Sequence, residues 1–407
     1  MPLLTAPNPH KYLYLPDGWD DAWKAAKANS GSQPALVTAV GDSITIGQYA
    51  TDIMSSTWFP QIRSQLLGQG LSLGGDHYGI AYTAVEASIN TYGITNPPVT
   101  IHGTPGGDYD AFVGAYNKII GNINALTPLI SCTPGYHVTG FDIIYVDYTS
   151  TGSWSYNVDG GSNTTVTCAG ADTSAGAVVK KVQIRGLTSG THTLNINSGA
   201  VVNSILFSGI TCYASTSSGI VFANLGWPAV GIAGGSMYMI DSSFSPPDRL
   251  ALYQGYTGTT ASPTALSGFG VPTQPDLAIC GFVINDAYNV TSLADFENAT
   301  RRMVHSLRYG KSDACSILFL GPYVFNSNAA SSTVVAASDG TGSTAPAIQE
   351  YYDCLRQVAQ EYCCAYASIH TAFGQKPVAN GWVVSTSNFH PSDSGHTKMA
   401  SLIGSVL

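Results

Sequence analysis

Two short stretches of the sequence carry residue types able to do nucleophilic chemistry. Gly41-Asp42-Ser43 follows the apolar run ALVTAV (Ala35 to Val40) and precedes a segment with a helical face, so Ser43 falls at a strand-to-helix turn. A serine there can expose its hydroxyl to substrate, and its own N–H at the helix entry can help hold an oxyanion. The structural alternative is that Ser43 merely caps the helix while Asp42 shapes the turn. Near the other end, Ser387-Asn388-Phe389-His390-Pro391-Ser392-Asp393-Ser394-Gly395-His396 forms a Pro-bounded loop ahead of a terminal helix. Such a loop is suited to carry a histidine base, His390, back to the edge of the first strand. The other histidines (His10, His77, His102, His137, His192, His305 and His370) lack metal-like spacing and read as surface or satisfied core residues.

Together these stretches resemble the SGNH (GDSL-type) hydrolase superfamily, whose first block is Gly-Asp-Ser after the first strand and whose last is Asp-x-x-His-Pro before the last helix. Gly41, Asp42, Ser43 and Ile44 match the first block; His390 and Pro391, with Gly395 and His396 behind them, match the last. The third block, Gly-x-Asn-Asp at a strand end, corresponds to Val283-Ile284-Asn285-Asp286, with Val283 where the family has glycine. The second, Asn-x-Gly and a small-residue loop, is similar to Asn224-Leu225-Gly226-Trp227-Pro228-Ala229-Val230-Gly231. The resemblance spans roughly residues 34–72 and 219–407.

By position, the resemblance implies Ser43 as nucleophile and His390 as general base and then acid. It implies Asn285 as a side-chain oxyanion donor beside the Ser43 N–H, with the oxyanion glycine of the family falling on Ala229 and with Gly226 as its neighbour. Asp42 and Asp286 take supporting roles, Asp286 by shaping the loop that presents Asn285, and His396 packs the start of the last helix. No metal or organic cofactor is implied. The informative departure is Ser387, three residues before His390, where the family has aspartate to orient the imidazole. Three readings stay open: a Ser43–His390 dyad braced by a backbone carbonyl or hydroxyl, a more remote acid such as Asp393, or a weakened enzyme.

These residues need elements to place them. The pattern predicts a short helix over Asp17–Ser30, then the strand at Ala35, then a helical face over Asp52–Leu67. Later, LAICGFVI (Leu277 to Ile284) and SILFL (Ser316 to Leu320) are apolar strand-like runs. They alternate with amphipathic stretches over Thr291–Arg308, Ala347–Cys364 and Gly395–Leu407. Strands buried on both faces and alternating with helices predict an α/β fold, a flavodoxin-like parallel sheet flanked by helices.

Between about Gly74 and Ser218 the texture changes to short alternating segments such as FDIIYVDY, SWSYNVDGG, AVVKKVQIRGL and THTLNIN, with an Asp159-Gly160 hairpin signal. That pattern predicts an inserted antiparallel β-sandwich, similar to a carbohydrate-binding module. The expected organisation is an N-terminal extension over 1–33, a hydrolase domain over 34–73 and 219–407, and the insertion over 74–218. Tyr148, Trp154 and Tyr156 either stack sugar rings or fill the sandwich core. Cys280 and Cys315 read as buried thiols, while Cys132, Cys168 and Cys212 lie where a disulfide is possible.

Composition narrows the partners. The 407 residues carry 25 Asp and Glu against 16 Lys and Arg, a net charge of −9, and only 10% charged residues where about 25% is usual. Phosphate-backbone binding needs clustered Lys and Arg, so nucleic acid is excluded as a partner. No run approaches the roughly 20 apolar residues of a membrane span, and MPLLTAPNPHKYLYLP lacks the pattern of a signal peptide. Low charge with abundant Ser, Thr, Gly, Ala and Tyr is the texture of extracellular or virion proteins. The expected function is a serine esterase acting on short acyl, chiefly O-acetyl, esters of a polysaccharide or acylated glycan. The rivals are a lipase or thioesterase for longer chains, and a glycan-recognising virion tail protein with weak or no esterase activity.

Overall fold

A computed structural model describes residues 13–79, 83–85, 98–102, 104–108, 118–121, 128–147, 153–168, 178–198, 205–226, 230–233, 237–238, 256–257, 264–265, 275–289, 291–308, 314–321, 348–373, 380–384 and 390–407. Apolar, β-branched runs form the central strands: β1 (Leu13–Tyr14), β2 (Ala35–Gly41), β3 (Leu73–Gly79), β4 (Ile220–Gly226), β5 (Leu277–Gly281), β6 (Ser316–Gly321) and β7 (Ala365–Ser368). They lie side by side in the order β1, β7, β6, β5, β2, β4, β3. From β7 to β3 every pairing is parallel, and β1 closes the outer edge antiparallel to β7.

Helices cover both faces, as near-continuous apolar strands require. On one face α5 (Leu293–Arg308) and α6 (Ile348–Glu361) bury Phe296, Met303, Leu307, Tyr351, Leu355 and Val358 against Val40, Cys280 and Phe319. On the other, α1 (Asp21–Asn29), α3 (Trp58–Gly68) and α8 (Asp393–Gly404) bury Trp23, Trp58, Ile62, Met399 and Ile403 against Val37, Ile279 and Leu318. Alternate residues of each strand thus feed opposite layers. α3 starts six residues after the helical face read from Asp52, because the Asp52 carboxylate accepts the Met54 N–H and turns the chain first. The extension is part of the fold from Leu13 on: the Trp23 N–H donates to Ser316 Oγ at 3.0 Å.

The boundary expected at residue 73/74 falls inside β3, which runs parallel to β4. Within β3, Gly74 and Gly75 let the backbones of Gly219 and Cys212 approach. Beyond β3 the same sheet continues without a break: Ile205–Tyr213 pairs antiparallel with β3, and Gly140–Asp147 pairs antiparallel with Ile205–Tyr213. A second, six-stranded sheet includes Val99–Ile101, Ile130–Cys132, Ser153–Val158 and Leu194–Ser198. Its Ile130, Trp154, Leu194 and Ile196 share one buried cluster with Phe141, Ile143, Phe207 and Ile210 of the large sheet. Trp154 is core, set edge-on to Tyr145 at 5.1 Å, whereas Tyr156 is half-buried and Tyr148 lies outside the described residues. Asp159 and Gly160 both take positive φ (54° and 71°) at the tip between Ser153–Val158 and Thr164–Thr167, as the Asp-Gly signal requires. Cys280 and Cys315 are buried, and the free thiols of Cys132 and Cys212 lie 3.5 Å apart between the two sheets.

The strand ends meet under the short helix α2 (Ser43–Ile46). Gly226, Gly41 and Gly281 stand in register across β4, β2 and β5 at their C-terminal ends. A Cβ on Gly41 would lie 1.9 Å from Thr45 Oγ1 and 2.3 Å from the Gly281 carbonyl oxygen; one on Gly226 would lie 2.5 Å from the Ile46 nitrogen. α2 rests where side chains are missing. Gly41→Ala therefore lowers the unfolding free energy by about 3 kcal/mol, the upper part of the range for overpacking. Urea unfolding followed by circular dichroism measures it, and a midpoint equal to that of the parent rules out this packing role.

Candidate active site

Ser43 opens α2 directly after β2, and Asp42 is the N-cap, its carboxylate accepting the Ile44 N–H at 2.9 Å. The structural reading of Ser43 as the cap is thereby replaced: the cap is Asp42, and the Ser43 hydroxyl is free for another partner. α2 is fixed to both neighbouring strands. The Asp42 N–H and Thr45 Oγ1 donate to the Gly281 carbonyl of β5, and Asn224 Nδ2 of β4 donates to the Thr45 carbonyl at 2.9 Å.

His390 arrives from the far end of the chain. Its carbonyl accepts the Val384 N–H, Pro391 bridges Val383, and the Ser392 N–H donates to the Trp382 carbonyl. Ser392 then caps α8, its Oγ accepting the Gly395 N–H. The loop is thus clamped on both sides of the histidine. His390 Nε2 lies 2.9 Å from Ser43 Oγ, and both residues are buried, at 6% and 5% exposure. Burial pushes the imidazole down to about 4 from its ordinary 6.5, so the ring is neutral at pH 7 and its Nε2 can accept the serine proton.

Asn285 is half-buried on the helical turn α4 (Ile284–Tyr288), which follows β5 beside β2. Val283 enters that turn with φ 105°, a conformation costly for a β-branched residue. This accounts for glycine at the equivalent place in the family resemblance. Asp286 is fully buried and accepts the N–H groups of Ile232 and Ala233 at 2.8 Å each, tying the loop after β4 to α4. Burial, helped by the nearby Asp286 charge and opposed by its backbone hydrogen bonds, raises Asp42 to about 7.

One expected role does not fit the geometry. Gly226 N–H is already used, donating to Asn224 Oδ1 at 2.8 Å, so it shapes the loop rather than facing an oxyanion. Asp393, as the first residue of α8, accepts the Thr51 N–H at 2.9 Å through Oδ1. Ser387 and Ala229 lie outside the described residues. His396 is fully buried at the start of α8, and neither ring nitrogen has a hydrogen-bond partner among the described residues.

One residue at the site has no signal in the sequence blocks. Tyr49 holds φ 70°, stays 50% exposed and sets its ring 4.8 Å from the His390 ring, covering that face of the imidazole. Its position is a consequence of the tight exit from α2, where Gly47 also takes positive φ. Among the described residues no cluster of three His, Cys, Asp or Glu side chains could hold a metal ion, and no helix is long and apolar enough to cross a membrane.

Residues 239–398 match the GDSL-like lipase/acylhydrolase family. No curated protein matches the chain. The fold is similar to a solved structure of a peptidoglycan O-acetylesterase, with a TM-score of 0.61 and 16% identity over 95% of this chain and 94% of that one. A family two carbohydrate esterase from Cellvibrio japonicus also matches (TM-score 0.31, 12% identity, 77% of this chain and 95% of that one). So does one from Corynascus thermopiles (TM-score 0.31, 13% identity, 71% and 92%), and both scores are too low to bear on the fold.

Because burial alone lowers His390, removing the ring that covers it should raise its pKa. Tyr49→Ala keeps a side chain at φ 70° and deletes only the ring. Titration of the His390 Cε1 proton by NMR is expected to move from about 4 toward 6.5 in this variant; an unchanged midpoint removes Tyr49 from the electrostatics of the site. The sign for stability follows from the same shift. Between 6.5 and about 4 the unfolded chain binds more protons at His390 than the folded one, so this group's contribution is full above 6.5 and is lost as pH falls through that window. His77 and His396, lowered by burial to about 3, act in the same direction, and Asp42, raised to about 7, opposes them.

Proposed function

We propose that this chain, which carries a GDSL-like acylhydrolase domain, is a serine esterase that removes short acyl groups, chiefly O-acetyl, from a polysaccharide through a Ser43–His390 dyad. The observation that carries the reading is the 2.9 Å contact between Ser43 Oγ and His390 Nε2 at the C-terminal edge of a parallel sheet, where α/β folds place their ligands. In the first half-reaction Nε2 takes the serine proton while Oγ attacks the ester carbonyl. The oxyanion is received by the Ser43 N–H and the Asn285 side chain. The tetrahedral intermediate collapses as His390 returns the proton to the departing sugar hydroxyl. Water, deprotonated by His390, then attacks the acyl-serine and releases the acid.

In this reading a backbone carbonyl or hydroxyl orients the imidazole in place of the carboxylate the family uses, since Ser387 stands at that position. An imidazolium braced by a neutral acceptor is less stabilised than a carboxylate-backed one, so the dyad depends on the bound ester excluding water during proton transfer. The polysaccharide is supported by fold likeness to a peptidoglycan O-acetylesterase over nearly the whole chain. The composition supports an extracellular or virion-associated setting.

Ser43→Ala is expected to abolish turnover of p-nitrophenyl acetate without altering the circular dichroism spectrum, and His390→Gln to reduce it by about 10⁴-fold. Asn285→Ala should lower kcat by about 10²-fold with little change in KM, the pattern of a donor used in the transition state. A chain-length series separates the rivals: kcat/KM falling from acetyl to decanoyl esters fits the proposal, whereas a rise identifies a lipase. Retained turnover in Ser43→Ala refutes the nucleophile.

A further inference from the structure

The fold leaves a cleft of about 720 Å³ where α3 faces β3 and the segment around Gly135; Asn224, which holds α2, is part of its lining, whereas Ser43 and His390 are not. The volume is in the range of small-ligand sites. Its charged feature is one ion pair. Arg63 Nε and Nη2 donate to the two oxygens of Asp76 at 2.8 and 3.0 Å, and Asp76 is buried at 8% exposure. Around that fork stand apolar surfaces: Pro60, Phe222 on the floor, with the Arg63 guanidinium 5.9 Å from its ring centroid, and the ring of Tyr136. Tyr136 is fixed from both sides, its Oη accepting the Asp76 N–H and donating to the Cys212 carbonyl.

This lining selects by charge. An anion would meet the Asp76 carboxylate and a cation the Arg63 guanidinium, each at the cost of disturbing a bidentate pair. A hydrocarbon chain would strip water from the pair and return no hydrogen bond. A neutral polyol can donate to the carboxylate edge, accept from the guanidinium edge and lay its C–H face on the apolar walls. We propose that the cleft is a second binding site, for neutral sugar units of the polysaccharide, separate from the catalytic pair and formed at the seam between the catalytic sheet and the inserted strands. The choice of ligand rests on the polysaccharide esterase reading; the cleft itself does not.

Gly135 supplies the test. It lies on the rim, exposed, and a Cβ there would meet nothing within 4 Å, so bulk can be added without touching the ion pair. Isothermal titration of the full chain with cellohexaose and with chitohexaose is compared among the parent, Gly135→Ala and Gly135→Trp. The expected result is binding by the parent and by Gly135→Ala of at least one of the two, weakened tenfold or more in Gly135→Trp. Should the tryptophan variant not fold, Gly135→Cys is folded first and then alkylated with a bulky maleimide, against a parent alkylated at its exposed Cys363. Absence of binding of both hexasaccharides by the parent, or binding indifferent to bulk at 135, overturns the proposal. So does decanoate binding that the bulk blocks while the sugars are unaffected, which would make the cleft an acyl site. Turnover of p-nitrophenyl acetate by the parent is read separately. If it is absent while sugar binding is blocked at 135, the esterase reading fails and the cleft stands.

Discussion

The docking of helix α2 onto three strand ends governs the geometry of the site. Its four residues are too few to be stable alone, since one helical turn fixes several dihedrals for a single hydrogen bond. Contacts made across the sheet hold it instead: the Asp42 N–H and Thr45 Oγ1 to Gly281, and Asn224 to the Thr45 carbonyl. These are reachable only because Gly41 and Gly226 remove the Cβ atoms that would hold the helix off. A hydroxyl on such a turn has little freedom, and the histidine clamped between Val383 and α8 has little more. Two groups 347 residues apart in sequence are therefore held at hydrogen-bond distance by elements that each have a single way to sit.

The electrostatics of the site follow from burying polar groups close together. Asp286 is held by two amide donors, whereas Asp42 is driven toward protonation by its burial despite capping α2. His390 is placed in the same poorly solvated ground, and desolvation is what lowers its pKa. A base shifted this far is weaker toward a proton than free imidazole, yet it is fully unprotonated near neutrality. Tyr49 enters here, since its ring takes the place of water on one face of the imidazole. Positive φ at Tyr49 and at Val283 flanks the site on two separate loops, and strain of this kind persists only where neighbouring contacts over-determine the backbone.

What could be read from residue order alone was the part that repeats in every chain of similar chemistry. The apolar runs gave β2, β5 and β6, the helical periodicities gave α5, α6 and α8, and the Ser43 and His390 blocks landed next to each other. The failures have physical causes. The boundary at 73/74 cut β3 because the glycines that admit neighbouring backbones, Gly74 and Gly75, stand where the texture of the sequence changes. Gly226 was assigned a role by position, and its single N–H is taken by a neighbour, Asn224 Oδ1. Tyr49 was silent because an aromatic three residues past a helix carries no periodic signal; only the left-handed backbone brings it over the histidine.

The family match begins at residue 239 while the serine lies at 43, ahead of the inserted strands and of the segment that completes its sheet. In the sheet β2 sits between β4 and β5, strands that follow it by some 180 and 240 residues, so the nucleophile's strand is completed only after the inserted strands are made. A detached domain on two flexible linkers would leave that closure to chance and would pay the loop entropy of a long excursion. Here the excursion is not loose. β3 pairs parallel with β4 and antiparallel with Ile205–Tyr213, so the inserted strands extend the catalytic sheet and their last strand delivers the chain directly to β4. The Arg63–Asp76 pair crosses the same seam, from a helix of the catalytic layer to the strand on which the insertion is built. A continuous sheet with a charged fork across its joint fixes the inserted part relative to Ser43. That rigidity is what the proposed dyad and the proposed cleft require to act together on a single extended substrate.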